Sequence, residues 1–200
     1  MRKTHAFISV FFASFSCVSD AADGMFAQFD RGVGGGTVVF VTEIQQMQVS
    51  AAHSQWSSSG KSYSGALLKN LYSNSSSTNT FKLNAGVGVV NHHSDASASS
   101  PSASAAGLKL SLEDYQKGQA GSVFAMAEYN TAFRSWLGVV QIQPVDSQLG
   151  FEWSSVGDDR WYVGHKVALT WKFGNSPWSL RVGQQLKDST NFIGITYNTF

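Results

Sequence analysis

Cysteine is nearly absent: the 200 residues hold one, Cys17. A lone thiol cannot close an internal disulfide and offers no thiolate cluster for a metal. Proline is scarce, at three residues, and charge is low, 14 Lys plus Arg against 13 Asp plus Glu for a net charge of +1. Phosphate recognition by counterion release needs cations gathered together, and these are scattered, so no nucleic-acid partner is expected. Beyond the N-terminus no apolar stretch approaches the roughly 18 residues a transmembrane helix requires. No long window repeats apolar residues at helical spacing either, which excludes a helical membrane protein.

What is present begins with a leader. Arg2 and Lys3 precede an apolar run from Ala6 to Ser16 that contains Ile8, Val10, Phe11, Phe12 and Phe15. The run is too short to span a bilayer as a helix, and Ser19-Asp20-Ala21-Ala22 follows it, so cleavage after Ala21 fits the small-residue rule. Residues 1–21 are therefore expected to be a secretory signal peptide that carries Cys17 away with it. The competing reading, a lipoprotein acylated on Cys17, wants a Leu-like residue three positions earlier, where Ser14 stands.

About 180 residues remain, enough for one domain. They are rich in Gly, Ser, Asn, Thr and aromatic residues, and they alternate apolar with polar side chains. From Thr80 to Asn91, Phe81, Leu83, Ala85, Val87 and Val89 fall on one face, while Lys82, Asn84, Gly86 and Gly88 fall on the other. From Ala106 to Tyr115, Leu108, Leu110 and Leu112 oppose Lys109, Ser111 and Glu113. From Trp161 to Trp171, Val163, Val167 and Leu169 oppose Gly164, Lys166 and Thr170. Successive side chains of a strand point to opposite faces, so each segment makes one face suited to hydrocarbon and one suited to water.

Such segments lie near 46–56, 61–73, 79–91, 104–115, 121–129, 134–143, 148–155, 160–173, 178–187 and 191–200. The expected fold is all-β, an antiparallel transmembrane β-barrel of about ten strands over residues 46–200. Residues 22–45 are an N-terminal segment or the first strands. If Met25 to Arg31 and Thr37 to Ile44 pair across Gly32 to Gly36, the count is twelve; if short segments merge, it is eight. With the C-terminus on the periplasmic side, His92 to Ser104 becomes an outward loop and Gly174 to Pro177 an inward turn. Trp171, Phe173 and Trp178 flank an inward turn, while Tyr129, Phe133, Trp136, Trp161 and Tyr162 flank outward connections, as two aromatic girdles would. The competing reading makes these the core aromatics of a soluble β-sandwich.

The final segment, Asn191-Phe192-Ile193-Gly194-Ile195-Thr196-Tyr197-Asn198-Thr199-Phe200, ends the chain on Phe. It resembles the C-terminal signature of bacterial outer-membrane β-barrels. The resemblance implies residence in the outer membrane, contact with its lipid, and recognition of Phe200 as an assembly signal by the barrel-assembly machinery. Ile193, Ile195 and Tyr197 share one phase and Phe200 falls on the other, a mismatch that a bulge near Asn198 would repair.

On the polar phase Lys82, Lys109, Glu113, Glu128, Glu152, Lys166, Lys172 and Arg181 would face the lumen. Mixed signs in similar numbers suggest ion pairing across a narrow interior rather than a strongly selective pore. A small barrel that is structural or a narrow passive channel, without cofactor or metal, is the leading functional expectation. A lipid-modifying or hydrolytic barrel enzyme is the alternative, and a surface protein binding a partner through the 92–104 loop is a third. For the enzyme, the candidates are His92, Ser94 and Asp95, in which a His would activate the Ser hydroxyl and an acid would orient the imidazole. A polar tetrapeptide opening a Ser-rich loop is more simply solvated. Asp158 and Asp159 read as turn residues, His165 as a girdle position, and His53 as isolated.

Overall fold

The computed structural model describes residues 24–33, 35–56, 60–94, 102–159 and 163–200. The expected signal peptide, Cys17, Asp95, Trp161 and Tyr162 lie outside them, as does the side chain of Ser94.

Twelve antiparallel strands close into a barrel: β1 (Gly24–Gly32), β2 (Gly35–Ile44), β3 (Met47–Trp56), β4 (Gly60–Ser75), β5 (Asn79–Ser94), β6 (Ala103–Gly118), β7 (Gly121–Asn130), β8 (Ser135–Pro144), β9 (Leu149–Gly157), β10 (Val163–Lys172), β11 (Trp178–Gln185) and β12 (Thr190–Asn198). Each strand pairs with its sequence neighbours, and β1 closes the ring on β12, from Phe26 opposite Asn198 to Gly32 opposite Phe192. The count corrects the expected ten. The two further strands are β1 and β2, whose backbone groups would otherwise have left β3 and β12 as open edges.

At the end that carries the C-terminus the connections are short. Gln45 and Gln46 form a two-residue loop in which both have positive φ, 49° and 68°, the backbone of a type I′ hairpin. Ser76 caps the next turn, its Oγ accepting from the backbone N–H of Thr78 and Asn79. In the β10–β11 turn Gly174 has φ 57°. At the far end β7 and β8 are joined through a 3-10 turn, Ala132–Arg134.

Residues opposite one another in a ladder share a face, so the registers carry the alternation around the barrel. Outside stand Leu108 (69% exposed), Val87 (58%), Leu169 (56%) and Ile193 (55%), together with most of the large exposed apolar side chains. Near the C-terminal end Trp178 packs edge-on to Tyr197, ring centroids 4.9 Å apart, with Trp171 and Phe173 close by in sequence. Toward the far end His53 stacks on Tyr63 at 4.5 Å, and Tyr129 pairs with Trp136.

Two expectations change here. His92 does not open a loop: β5 runs to Ser94, with His92 opposite Ser62 and Ala103. Hydrogen bonding continues the strand past the point where apolar alternation fades into Asn91, His92 and His93. Phe133 leaves the girdle and turns toward the interior, against His92.

Candidate functional site

Among the described residues, the barrel interior gathers ten charged side chains. Register places Lys82, Lys109, Glu113, Glu128, Glu152, Lys166, Lys172 and Arg181 on the inner phase, joined by Asp30 and Glu43 from the two N-terminal strands. Their contacts form two groups.

The first centres on Arg181, 1% exposed. Its Nη2 donates to Glu152 Oε1 at 2.6 Å, and its Nη1 lies 3.7 Å from Asp30 Oδ1. Asp30 stands on β1 and Glu152 on β9, each two strands away from β11 in the barrel order. The approach to Asp30 crosses β12 at Gly194, the direct partner of both Asp30 and Arg181. A Cβ at Gly194 would run into the Asp30 carboxylate, so only glycine leaves the two charges room to meet. Gln28 Nε2 donates to Asp30 Oδ2 at 2.7 Å, and Gln141 Nε2 donates to Glu152 Oε2 at 2.8 Å, which supplies the other carboxylate oxygens. Phe192 lies beside this group, with Lys166 Nζ 5.6 Å and the Arg181 guanidinium 5.8 Å from its ring centre. Lys166 Nζ also donates to Thr37 Oγ1 at 3.2 Å, joining β10 to β2, four strands away around the shorter arc.

The second group surrounds Glu113. Gln48 Nε2 donates to its Oε1 at 2.9 Å and Asn84 Nδ2 at 3.2 Å, while Asn70 Nδ2 donates to Asn84 Oδ1 at 3.0 Å. Lys82 pairs with Glu43, three strands away, and Lys109 Nζ lies 2.9 Å from Glu128 Oε2. Gln48–Glu113 and Lys82–Glu43 each join strands three apart and so tie separated parts of the wall together, while Asn70–Asn84, Asn84–Glu113 and Lys109–Glu128 join neighbouring strands. Buried charge is costly unless paired and hydrogen-bonded. Glu113 accepts two side-chain amide hydrogen bonds, whereas Arg181 Nε and Nη1 and Asp30 Oδ1 are buried without a hydrogen bond and are held by charge contact alone.

Near the C-terminal mouth, β12 shows no register shift on either side, so no bulge repairs its phase. Phe200 stays on the inner phase: its ring lies against Gly24 and 5.7 Å from Lys82 Nζ. Thr199 holds the tail, its N–H donating to Met25 O at 2.9 Å.

Of the candidate catalytic residues, His92 faces the interior near the far mouth. The acid beside it is Asp158, whose Oδ2 lies 3.5 Å from His92 Nε2. Sequence proximity had favoured Asp95. The pairing with Asp158 joins β5 to the end of β9, which no local spacing reveals. His165 faces outward, stacked on Trp153 at 6.3 Å with Ser155 Oγ 2.8 Å from its Nδ1. Among the described residues no three His, Cys, Asp or Glu side chains gather as metal ligands would. Asp30 and Glu43 were absent from the sequence-based lumen set, although alternation within residues 25–31 already places Asp30 opposite Phe29 and Arg31 in phase.

A closed antiparallel barrel, apolar outside and charged within, is the fold of the bacterial outer-membrane β-barrels. Solved structures share it, two of them KdgM porins. One, a KdgM porin in complex with disordered oligogalacturonate, superposes with a TM-score of 0.52 at 12% identity, covering 88% of this chain and 99% of that one. The other, a KdgM porin, gives 0.50 at 12% identity with the same coverage. Likeness at that identity is likeness of fold. No family model and no curated protein matches the sequence.

Proposed function

We propose that this chain is an outer-membrane β-barrel acting as a narrow, weakly charge-selective passive channel for small solutes. The observation that carries the reading is the segregation of side chains on a ladder closed by β1 and β12. Hydrocarbon has no hydrogen bonds to offer, so a spanning sheet must close on itself and turn its apolar phase outward. Twelve strands place it between small barrels filled by their own side chains and the wide porins.

The chemistry of the lumen sets the selectivity. Acids Asp30, Glu43, Glu113, Glu128 and Glu152 stand among cations Lys82, Lys109, Lys166 and Arg181, nearly all in contact with a partner of opposite sign or a hydrogen-bonding amide. Such an interior gives no cationic track, and the oligogalacturonate of the KdgM complex is not carried over to this chain. Export through a leader spanning residues 1–21 and recognition of the Phe200 strand by the barrel-assembly machinery complete the proposal, with the far mouth facing outward. A second reading, a structural barrel that does not conduct, is favoured by one feature: Arg181, Asp30, Leu68 and Ser111 are all fully buried.

Heat-modifiable gel migration of protein extracted from outer membranes, followed by single-channel recording in planar bilayers, separates these readings. A band that shifts on boiling together with small, steady current steps supports the channel. A shift with no current supports the structural barrel. Absence of both the shift and outer-membrane fractionation refutes the two together.

A further inference from the structure

The far mouth holds a cluster that the two interior groups do not use. Between β7 and β8 the 3-10 turn Ala132–Arg134 contains two consecutive non-glycine residues at positive φ, Phe133 at 55° and Arg134 at 46°. Residues with a Cβ adopt that region in succession only when their surroundings hold them there. Here the Ala132 N–H donates to Asn130 Oδ1 at 2.9 Å, and Ser135 Oγ donates to Ala132 O at 3.1 Å. From the β9 side, the Asp159 N–H donates to Phe133 O at 3.1 Å, and Arg134 Nη1 lies 3.2 Å from Asp159 Oδ2.

The turn is folded inward. Gly88 and Gly107 face one another across β5 and β6 on the inner phase. A Cβ at Gly88 would meet Asn130 Nδ2 at 2.6 Å, and one at Gly107 would meet Asn130 Oδ1 at 2.9 Å and run into Thr131 and Ala132. Those two glycines therefore leave the space that the turn occupies on the lumen side of the wall, where Ala132 is buried. From there the Phe133 ring reaches the inward-facing His92 ring, centroids 5.2 Å apart, and His92 rests in turn against Asp158.

We propose that this turn forms the size-setting constriction of the far mouth, with Phe133 as the residue that limits which solutes pass and the His92–Asp158 pair as the post that seats its ring. The inference rests on the channel reading above. Conduction through a constriction follows its diameter, and Phe133 is the large side chain placed on it by a turn that is held rather than free.

The test is single-channel recording on the refolded barrel and two variants, each checked for heat-modifiable migration. Phe133→Gly removes the ring and suits a positive φ, so the path of the turn is kept. Its conductance is expected to rise at least about twofold, since pore diameter governs flow. Phe133→Cys, made in a chain carrying Cys17→Ser, is treated with a bulky methanethiosulfonate reagent and is expected to lose conductance on modification. If the parent conducts, and neither ring removal nor modification changes the current, the constriction is overturned while the channel stands. If the parent and both variants shift on heating yet never conduct, the channel reading falls and takes the constriction with it. If Phe133→Gly fails to shift on heating, the modified cysteine variant decides the matter.

Discussion

Replacing Arg181 by Met tests the energetics of the interior most directly. The substitution keeps a long side chain of comparable reach but removes a cation that is 1% exposed, leaving Asp30 and Glu152 behind at 2% and 5%. Gross attraction between unit charges about 4 Å apart is about 4 kcal/mol at an effective dielectric near 20. Arg181 touches one carboxylate at 2.6 Å and the other at 3.7 Å. Desolvation offsets much of that attraction in the intact barrel, so the pair's net worth is small, but the offset vanishes when one partner leaves. Breaking a buried pair from one side costs about 3–5 kcal/mol. Urea unfolding of the barrel from detergent micelles, followed by tryptophan fluorescence, reads this as a fall in the midpoint at unchanged slope. The quadruple substitution Arg181→Met, Asp30→Asn, Glu152→Gln, Lys166→Met, which also removes the cation beside the same Phe192 ring, leaves no charge in the group and should recover most of the loss, to within about 1–2 kcal/mol of the parent. A single variant less than about 1 kcal/mol weaker than the parent would refute the argument, because Arg181 would then be neither desolvated nor needed by its carboxylates.

Gly194→Val should destabilise the barrel by about 1–3 kcal/mol, since its side chain would occupy the gap through which Arg181 meets Asp30, and the same urea titration measures it. On the lipid face, Val87→Arg near the middle of β5 should cost about 2–4 kcal/mol and Asn91→Arg nearer the far rim about 0–1, a difference in urea midpoint that a soluble sandwich would not produce with depth. In a salt gradient the parent channel should reverse close to zero voltage, and the double variant Lys82→Gln, Lys166→Gln should shift toward cation selectivity, because it leaves Glu43, Asp30 and Glu152 with fewer counterions. A strongly anion-selective parent would contradict the balanced interior.

Much of this molecule was legible in its amino-acid order. Phe81, Leu83, Ala85, Val87 and Val89 alternating with Lys82, Asn84, Gly86 and Gly88 define a strand with two unlike faces, because a pleated backbone sends each successive Cβ to the opposite side. The same alternation placed Lys82, Lys109, Glu113, Glu128, Glu152, Lys166 and Arg181 on one phase. It could not place Gly24–Gly32 and Gly35–Ile44 in or out of the barrel, since period two is a property of one strand and closure is a property of the ring.

Only the tertiary structure decided which residues meet. Arg181 finds Asp30 across Gly194, Lys166 reaches Thr37 four strands away, and His92 rests against Asp158 while Phe133 turns in beside it. Each contact depends on the number of strands, their stagger around the ring and a glycine or turn that opens the way. None of these is encoded in local spacing, because a strand's own period specifies its faces and leaves unstated what stands opposite them. The chain by itself thus determined the two faces of every strong strand; the closed ring determined which inner charges stand opposite one another and which side chains meet at the far mouth.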